Sequence, residues 1–187
     1  MSWDEIEGKD KEKQTYTKLP EGNSLIRVLD GEPFSFWNHW MQAQKTGVSC
    51  LGRDCPICAV MAQQKADKLP AQYSSSQRHA VRVWNYATNQ MEILIQGRQF
   101  FQQLLVFHRE VGDVRGYDMK IIRKGTDTST TYTMIPQPAK PFEHEGEVTD
   151  VDFADLFKPI DKATILLLME GKTWEQIKEL NGLQEDN

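Results

Sequence analysis

The chain has few long apolar stretches. In 187 residues, 39% of them hydrophobic, no run reaches the about 18 apolar residues that a membrane-spanning helix needs. Its beginning, MSWDEIEGKDKEKQTYTK, has neither an apolar core nor a small-residue cleavage site, so no secretory signal is expected and the cytoplasm is the expected location. The chain also lacks a Gly-rich phosphate loop, a His-Glu-x-x-His pair and a nucleophile elbow, which makes an enzyme an unexpected reading. Cysteine is scarce. There are three, and all fall within the nine residues 50–58. In a reducing compartment such a cluster points to metal ligands or redox groups and away from a disulfide frame.

Excess charge is scarce too: the net is −5, but it is unevenly spread. Residues 1–71 carry nine basic and ten acidic side chains, and residues 136–187 carry five basic and twelve acidic. The middle, 72–135, is mildly basic with eight against five. A basic middle and an acidic end are what an anionic ligand and an acidic interaction segment would produce.

The pattern predicts a mainly β chain with helices, of α+β class. Residues 1–14 read as a disordered arm. SLIRVLD (24–30), HAVRVWNYAT (79–88), MEILIQG (91–97), GYDMKIIRKG (116–125) and TTYTMIPQP (130–138) alternate as strands. The run from Pro56 to Leu69 and RQFFQQLLVFHREV (98–111) have helical spacing. Residues 71–77 read as a loop, 138–150 as an acidic linker, and 151–187 as a helical segment with a short acidic end. About five strands with one central helix suggest a small barrel, over 15–137.

The cluster reads His39-x10-Cys50-x4-Cys55-x2-Cys58. Cys-x2-Cys places two thiolates on one tight turn, close enough for one tetrahedral zinc ion, and a closed shell of three Cys and one His is structural and not catalytic. By spacing alone the fourth ligand is His39 or His79. A redox Cys-Pro-Ile-Cys pair and three unconnected buried cysteines are the competing readings.

Aromatic and basic side chains interleave in the middle region. Arg82, Trp84 and Tyr86 share one face of their strand. In the next hairpin, Tyr117 and Arg123 share a face with Met119 and Ile121, Lys120 and Lys124 take the other, and Tyr132 follows. Rings beside cations are what single-stranded nucleic acid requires, since bases stack on rings while cations hold phosphates. The competing reading places the rings in a core and the charges in water. The acidic residues of 143–155 lack the spacing of a calcium loop.

The order of NSLIRVLDGEP, an aromatic-His-Trp stretch, VSCLGRDCPIC and GYDMKIIRKGTDTSTTYTMIP resembles the zinc-containing single-stranded-DNA-binding proteins of tailed phages, the group of the T-even helix-destabilising protein. The resemblance covers about residues 15–180. It implies an OB-fold-like five-stranded barrel (15–137) with a zinc subdomain inserted at about 34–70. It further implies structural zinc on His39, Cys50, Cys55 and Cys58, and sequence-independent binding of single strands during replication, recombination and repair. Implied stacking residues are Trp37, Trp40, Trp84, Tyr86, Tyr117 and Tyr132. Implied phosphate contacts are Lys45, Arg53, Arg82, Lys120, Arg123 and Lys124. Replication or recombination proteins are expected at the acidic C-terminal region, and the host cytoplasm is the expected place if the chain is phage-encoded.

Overall fold

The computed structural model describes residues 15–126 and 129–185, with side chains described to residue 180. The arm expected at 1–14 lies outside the described residues. The chain forms two compact units. One is built from the chain up to Phe34 together with His79–Val151, and the other from Ser35–Arg78 together with the chain from Asp152 onward.

The first unit contains β1 (Gly22–Val28), the second half of β4 (Tyr73–Asn85), β5 (Gln90–Gly97), α2 (Arg98–Val111), β6 (Asp118–Lys124) and β7 (Thr131–Pro136). β1 pairs antiparallel with β4 on one side and β6 on the other, β7 continues from β6, and β5 pairs with β4. Closure into the expected barrel would need β7 to meet β5. Among the described residues the ladder stays open, with β7 paired to β6 alone. Part of the reason is local: Gln103 of α2 donates to the Tyr132 carbonyl, and Pro136 brings no N–H to a further pairing.

Alternation sorts this sheet into two faces. Ile26 and Val28 of β1, Val81 and Val83 of β4, and Met119 and Ile121 of β6 are buried in one core with Leu94. Phe100, Phe101 and Leu104 of α2 close that core, which is why apolar residues recur there at helical spacing. The opposite face carries a rank of unlike side chains. Arg27 sits opposite Trp84 on one neighbouring strand and opposite Asp118 on the other.

The second unit contains β2 (Phe34–Met41), β3 (Thr46–Ser49), α1 (Pro56–Ala66), α3 (Phe153–Leu156), α4 (Lys162–Met169) and α5 (Trp174–Glu185), together with the start of β4. β2 and β3 form an antiparallel hairpin, and β2 lies between β3 and β4. The core joins Met41, Val48, Cys55 and Ile57 to Ile165, Leu168 and Ile177. The C-terminal helices thus pack on the cysteine-bearing segment, and Gln44 ties the β2–β3 turn to the Leu168 carbonyl. Stacked Phe36 and Phe157, with centroids 4.2 Å apart, add a second tie.

One element differs from the sequence expectation, and two strands were not anticipated. Residues 73–77, read as a loop, open β4. The 34–41 stretch is a full strand, and 46–49 forms a short one. YSSSQ lacks the β-branched alternation that marks a strand; its serines are exposed, so pairing holds it there and not side-chain burial.

Candidate metal centre and aromatic surfaces

Four ligand residues converge within the second unit. The β2–β3 hairpin turns through Lys45, held at φ 49°, and pairs His39 with Val48. One further ladder bond, from the Cys50 N–H to the Trp37 carbonyl at 2.8 Å, places Cys50 alongside His39. A single 3-10 turn at Gly52–Asp54, with Gly52 at φ +77°, then reverses the chain. Cys55 caps α1 with Pro56 behind it, and Cys58 falls in the helix's first turn. This arrangement suits proline at N1, where a missing N–H costs nothing.

The donor atoms of His39, Cys50, Cys55 and Cys58 all lie within 4.8 Å of one another. His39 Nε2 is 3.5 Å from Cys55 Sγ and 3.4 Å from Cys58 Sγ, and the Cys50 and Cys58 sulfurs are 3.6 Å apart. A tetrahedral ion with the bond lengths of zinc would hold S···S at about 3.8 Å and S···N at about 3.6 Å. These three separations match a tetrahedral ion to within a few tenths of an ångström, and the quartet as a whole is compatible with a metal site. His79, the other histidine considered, stands in the first unit with its ring 5.2 Å from that of Phe101.

The electrostatics agree with the geometry. His39 is fully buried, and burial lowers its pKa, with the Ser74 backbone opposing the shift only in part; the ring is neutral and able to coordinate. Burial pushes the Cys58 thiol up to about 12, helped by Cys50 and Cys55. Burial would raise Cys55 as well, but the backbone of Cys58, Leu51 and Ile57 and the Cys50 side chain outweigh it and bring this thiol below its ordinary value. Three converging sulfurs cannot all ionise without a cation among them.

The aromatic and basic residues singled out from the sequence separate into distinct settings. Trp37 and Trp40 project from β2 at 54% and 42% exposure, and Trp40 donates its indole N–H to Gln42. Lys45 and Arg53 are exposed in the same unit. Tyr117 and Tyr132 turn to the core of the first unit, edge-on to Phe107 and Phe100. Arg123 spends one N–H on the Leu19 carbonyl. Lys124 is exposed and Lys120 half-buried.

Arg82, Trp84 and Tyr86 share the outer face of the first unit's sheet, and that face is covered. Trp84 is 1% exposed. Residues 140–150 run across it as a strap: the His144 ring stacks on Trp84 at 4.3 Å and 13°, and Phe142 meets the same indole edge-on at 5.8 Å. Arg82 is held by Asp30 and by Asp150 and the Thr149 carbonyl of the strap. Tyr86 donates to Asp118, and Lys140 reaches the same carboxylate at 2.9 Å.

Sequence reasoning missed the pair beneath the strap. Arg27 Nε donates to Asp118 Oδ1 at 2.7 Å with both side chains buried, and Arg27 Nη1 donates to the Lys140 carbonyl. The signal was an arginine inside the apolar alternation of SLIRVLD, which demands a carboxylate elsewhere.

Compared with protein-family models, with curated proteins and with solved structures, the chain matches none. Among the described residues no helix is long and apolar enough to cross a membrane.

Proposed function

We propose that this chain is a non-enzymatic, sequence-independent single-stranded-DNA-binding protein with one structural zinc ion. In this reading it coats and protects single strands during phage DNA replication, recombination and repair. The observation that carries the reading is the pair of exposed tryptophans on β2, the strand that also supplies His39. The segment 35–78 that bears them holds five basic and two acidic side chains in a chain that is acidic overall. A ring takes a base without regard to its identity, for about 1–3 kcal/mol per base, and Lys45 and Arg53 supply charge for phosphates. The metal's part is architectural: with four protein ligands no coordination position is left for a substrate.

The open five-stranded sheet stands in this reading for the OB-like barrel of the phage proteins that the sequence resembles. The acidic C-terminal region is the surface proposed for replication or recombination partners. A second reading, a zinc-stabilised protein-interaction module, draws on α2, where Leu105, Val106 and Val111 are exposed.

The two readings part in one titration. Intrinsic fluorescence of the five tryptophans is followed as a thymine oligonucleotide is added at low and at high salt. The single-strand reading expects saturable quenching whose affinity falls steeply with salt, by about 0.7 in logarithmic slope for each phosphate held. Lys45→Ala should flatten that slope by about one such step. No quenching from metal-loaded protein would leave the interaction module standing.

A further inference from the structure

Beneath the 140–150 strap the outer face of the first unit is chemically unfinished. Trp84 Nε1 and Arg27 Nη2 are buried donors with no hydrogen-bond acceptor among the described residues, on two residues that are each 1% exposed. They sit opposite each other across β1 and β4. Buried donors are almost always satisfied, so a cover that leaves two of them empty is a poor fit for the surface it covers. The cover has a particular form. A flat heteroaromatic ring, His144, lies parallel on Trp84, and a carboxylate, Asp150, holds Arg82 two residues along the same strand. Two residues of strand span about 6.6 Å, close to the reach from a base to its neighbouring phosphate.

The backbone of the strap is lightly tied, and its side chains supply the rest: the rings on Trp84 and the ion pairs of Lys140 and Asp150. Glu143, Glu145, Gly146, Glu147, Thr149 and Asp150 are exposed. Its backbone ties are Lys140 to Gly116, two bonds of the turn at 144–148, and the carbonyls given to Arg27 and Arg82. Exposed segments with few backbone hydrogen bonds open more readily than the sheet they cover.

We infer that Trp84 and Arg82 form a cryptic subsite for one nucleotide of a single strand, occupied in the free protein by His144 in the place of the base and Asp150 in the place of the phosphate. The incoming nucleotide displaces the strap, stacks its base on Trp84, sets a phosphate on Arg82 Nη1 while Nε and Nη2 stay with Asp30, and offers oxygen acceptors to Trp84 Nε1 and Arg27 Nη2. The inference rests on the single-strand reading and adds where a second element of binding resides. It also accounts for a sequence pattern of rings and cations that the free protein keeps from solvent.

The test uses the full, metal-loaded chain and a short thymine oligonucleotide, with backbone hydrogen exchange of 140–150 followed alongside affinity. His144→Ala removes the surrogate base and should tighten binding about two- to tenfold, the worth of one aromatic stack. Asp150→Asn should tighten it by less than about twofold, because its carboxylate is exposed. In the wild type, exchange across 140–150 should rise when the oligonucleotide binds. Binding with unchanged exchange there, or with equal affinity in His144→Ala and wild type, overturns the inference and leaves the single-strand reading intact. Failure of the wild type to bind any single strand overturns that reading, and the subsite with it.

Discussion

Replacing Asp118 by asparagine tests the buried network more sharply than any other change. The carboxylate accepts from Arg27 at 2.7 Å, from the Tyr86 hydroxyl at 2.8 Å and from Lys140 at 2.9 Å. Lys140 is half-exposed and contributes little. Arg27 is different: its guanidinium is buried, and removing a buried partner costs about 3–5 kcal/mol, because an uncompensated charge is left behind. Asparagine keeps one acceptor for Arg27 Nε, and Phe142 still lies 5.6 Å from the guanidinium carbon, so the lower end applies, about 3 kcal/mol. For a chain of this size that is a fall in Tm of about 6–12 °C, read by calorimetry. Replacing both partners, Arg27→Met with Asp118→Leu, should recover most of the loss, since a buried pair and its apolar equivalent differ little. The cost should also depend on pH. Burial alone would raise the Asp118 pKa, but Lys140, Tyr86 and Arg27 outweigh it and hold it below its ordinary value. The stabilisation is therefore complete above the unfolded carboxylate's pKa of about 3.9 and is lost as pH falls through the folded value. Wild type and variant should converge in acid. A fall in Tm below about 2 °C at neutral pH would mean that Arg27 reaches water in solution and that Asp118 is not its essential partner.

Three further outcomes follow from the same geometry. Cys55→Ser should release the metal and lower Tm, while weakening single-strand binding only through the loss of order in the second unit; calorimetry with metal analysis checks it, and unchanged melting with metal retained would remove Cys55 from the ligand set. Gly125→Ala should cost more than the about 1 kcal/mol of an ordinary glycine replacement, because Gly125 has φ +80° and a Cβ there would lie 2.6 Å from the Ser129 carbonyl oxygen; denaturant unfolding reads it, and a neutral effect would mean that the β6–β7 turn differs in solution. Tyr86 should ionise late in an alkaline absorbance titration, near pH 12, because burial and then Asp118 disfavour its phenolate. Its stabilising share is full below about pH 10 and is lost as pH rises toward 12; Asp118→Asn should bring the transition earlier.

What the sequence made legible was local. The His/Cys cluster could be read because a hairpin and the following helix start bring its side chains together within twenty residues, from His39 to Cys58. β4–β5, β6–β7 and α2 could be read because burial on one side imposes a period of two or of 3.6. The start of β4 could not, since Ser74–Ser76 are exposed and are held by pairing alone. The setting of Trp84 was equally hidden. Alternation placed it with Arg82 and Tyr86 correctly, but nothing near it says that His144, sixty residues on, will lie across it. The same distance problem separates Arg27 from Asp118 and Lys140. It also concealed that α4 and α5 complete the core around the cysteines. Tyr117 and Tyr132 show the ambiguity of aromatic strands most plainly, because both rings that could face a base face Phe107 and Phe100 instead.

Metal content measured on the intact chain tests the quartet of His39, Cys50, Cys55 and Cys58 most directly. Native mass spectrometry of protein purified without added chelator, paired with a thiol count under non-denaturing conditions, gives the answer in one preparation. The expected result is one zinc ion per chain, no reactive thiol while the ion is bound, and three reactive thiols once a chelator has removed it. Metal-free protein that melts at the same temperature with and without added zinc, its three thiols freely reactive, would contradict it.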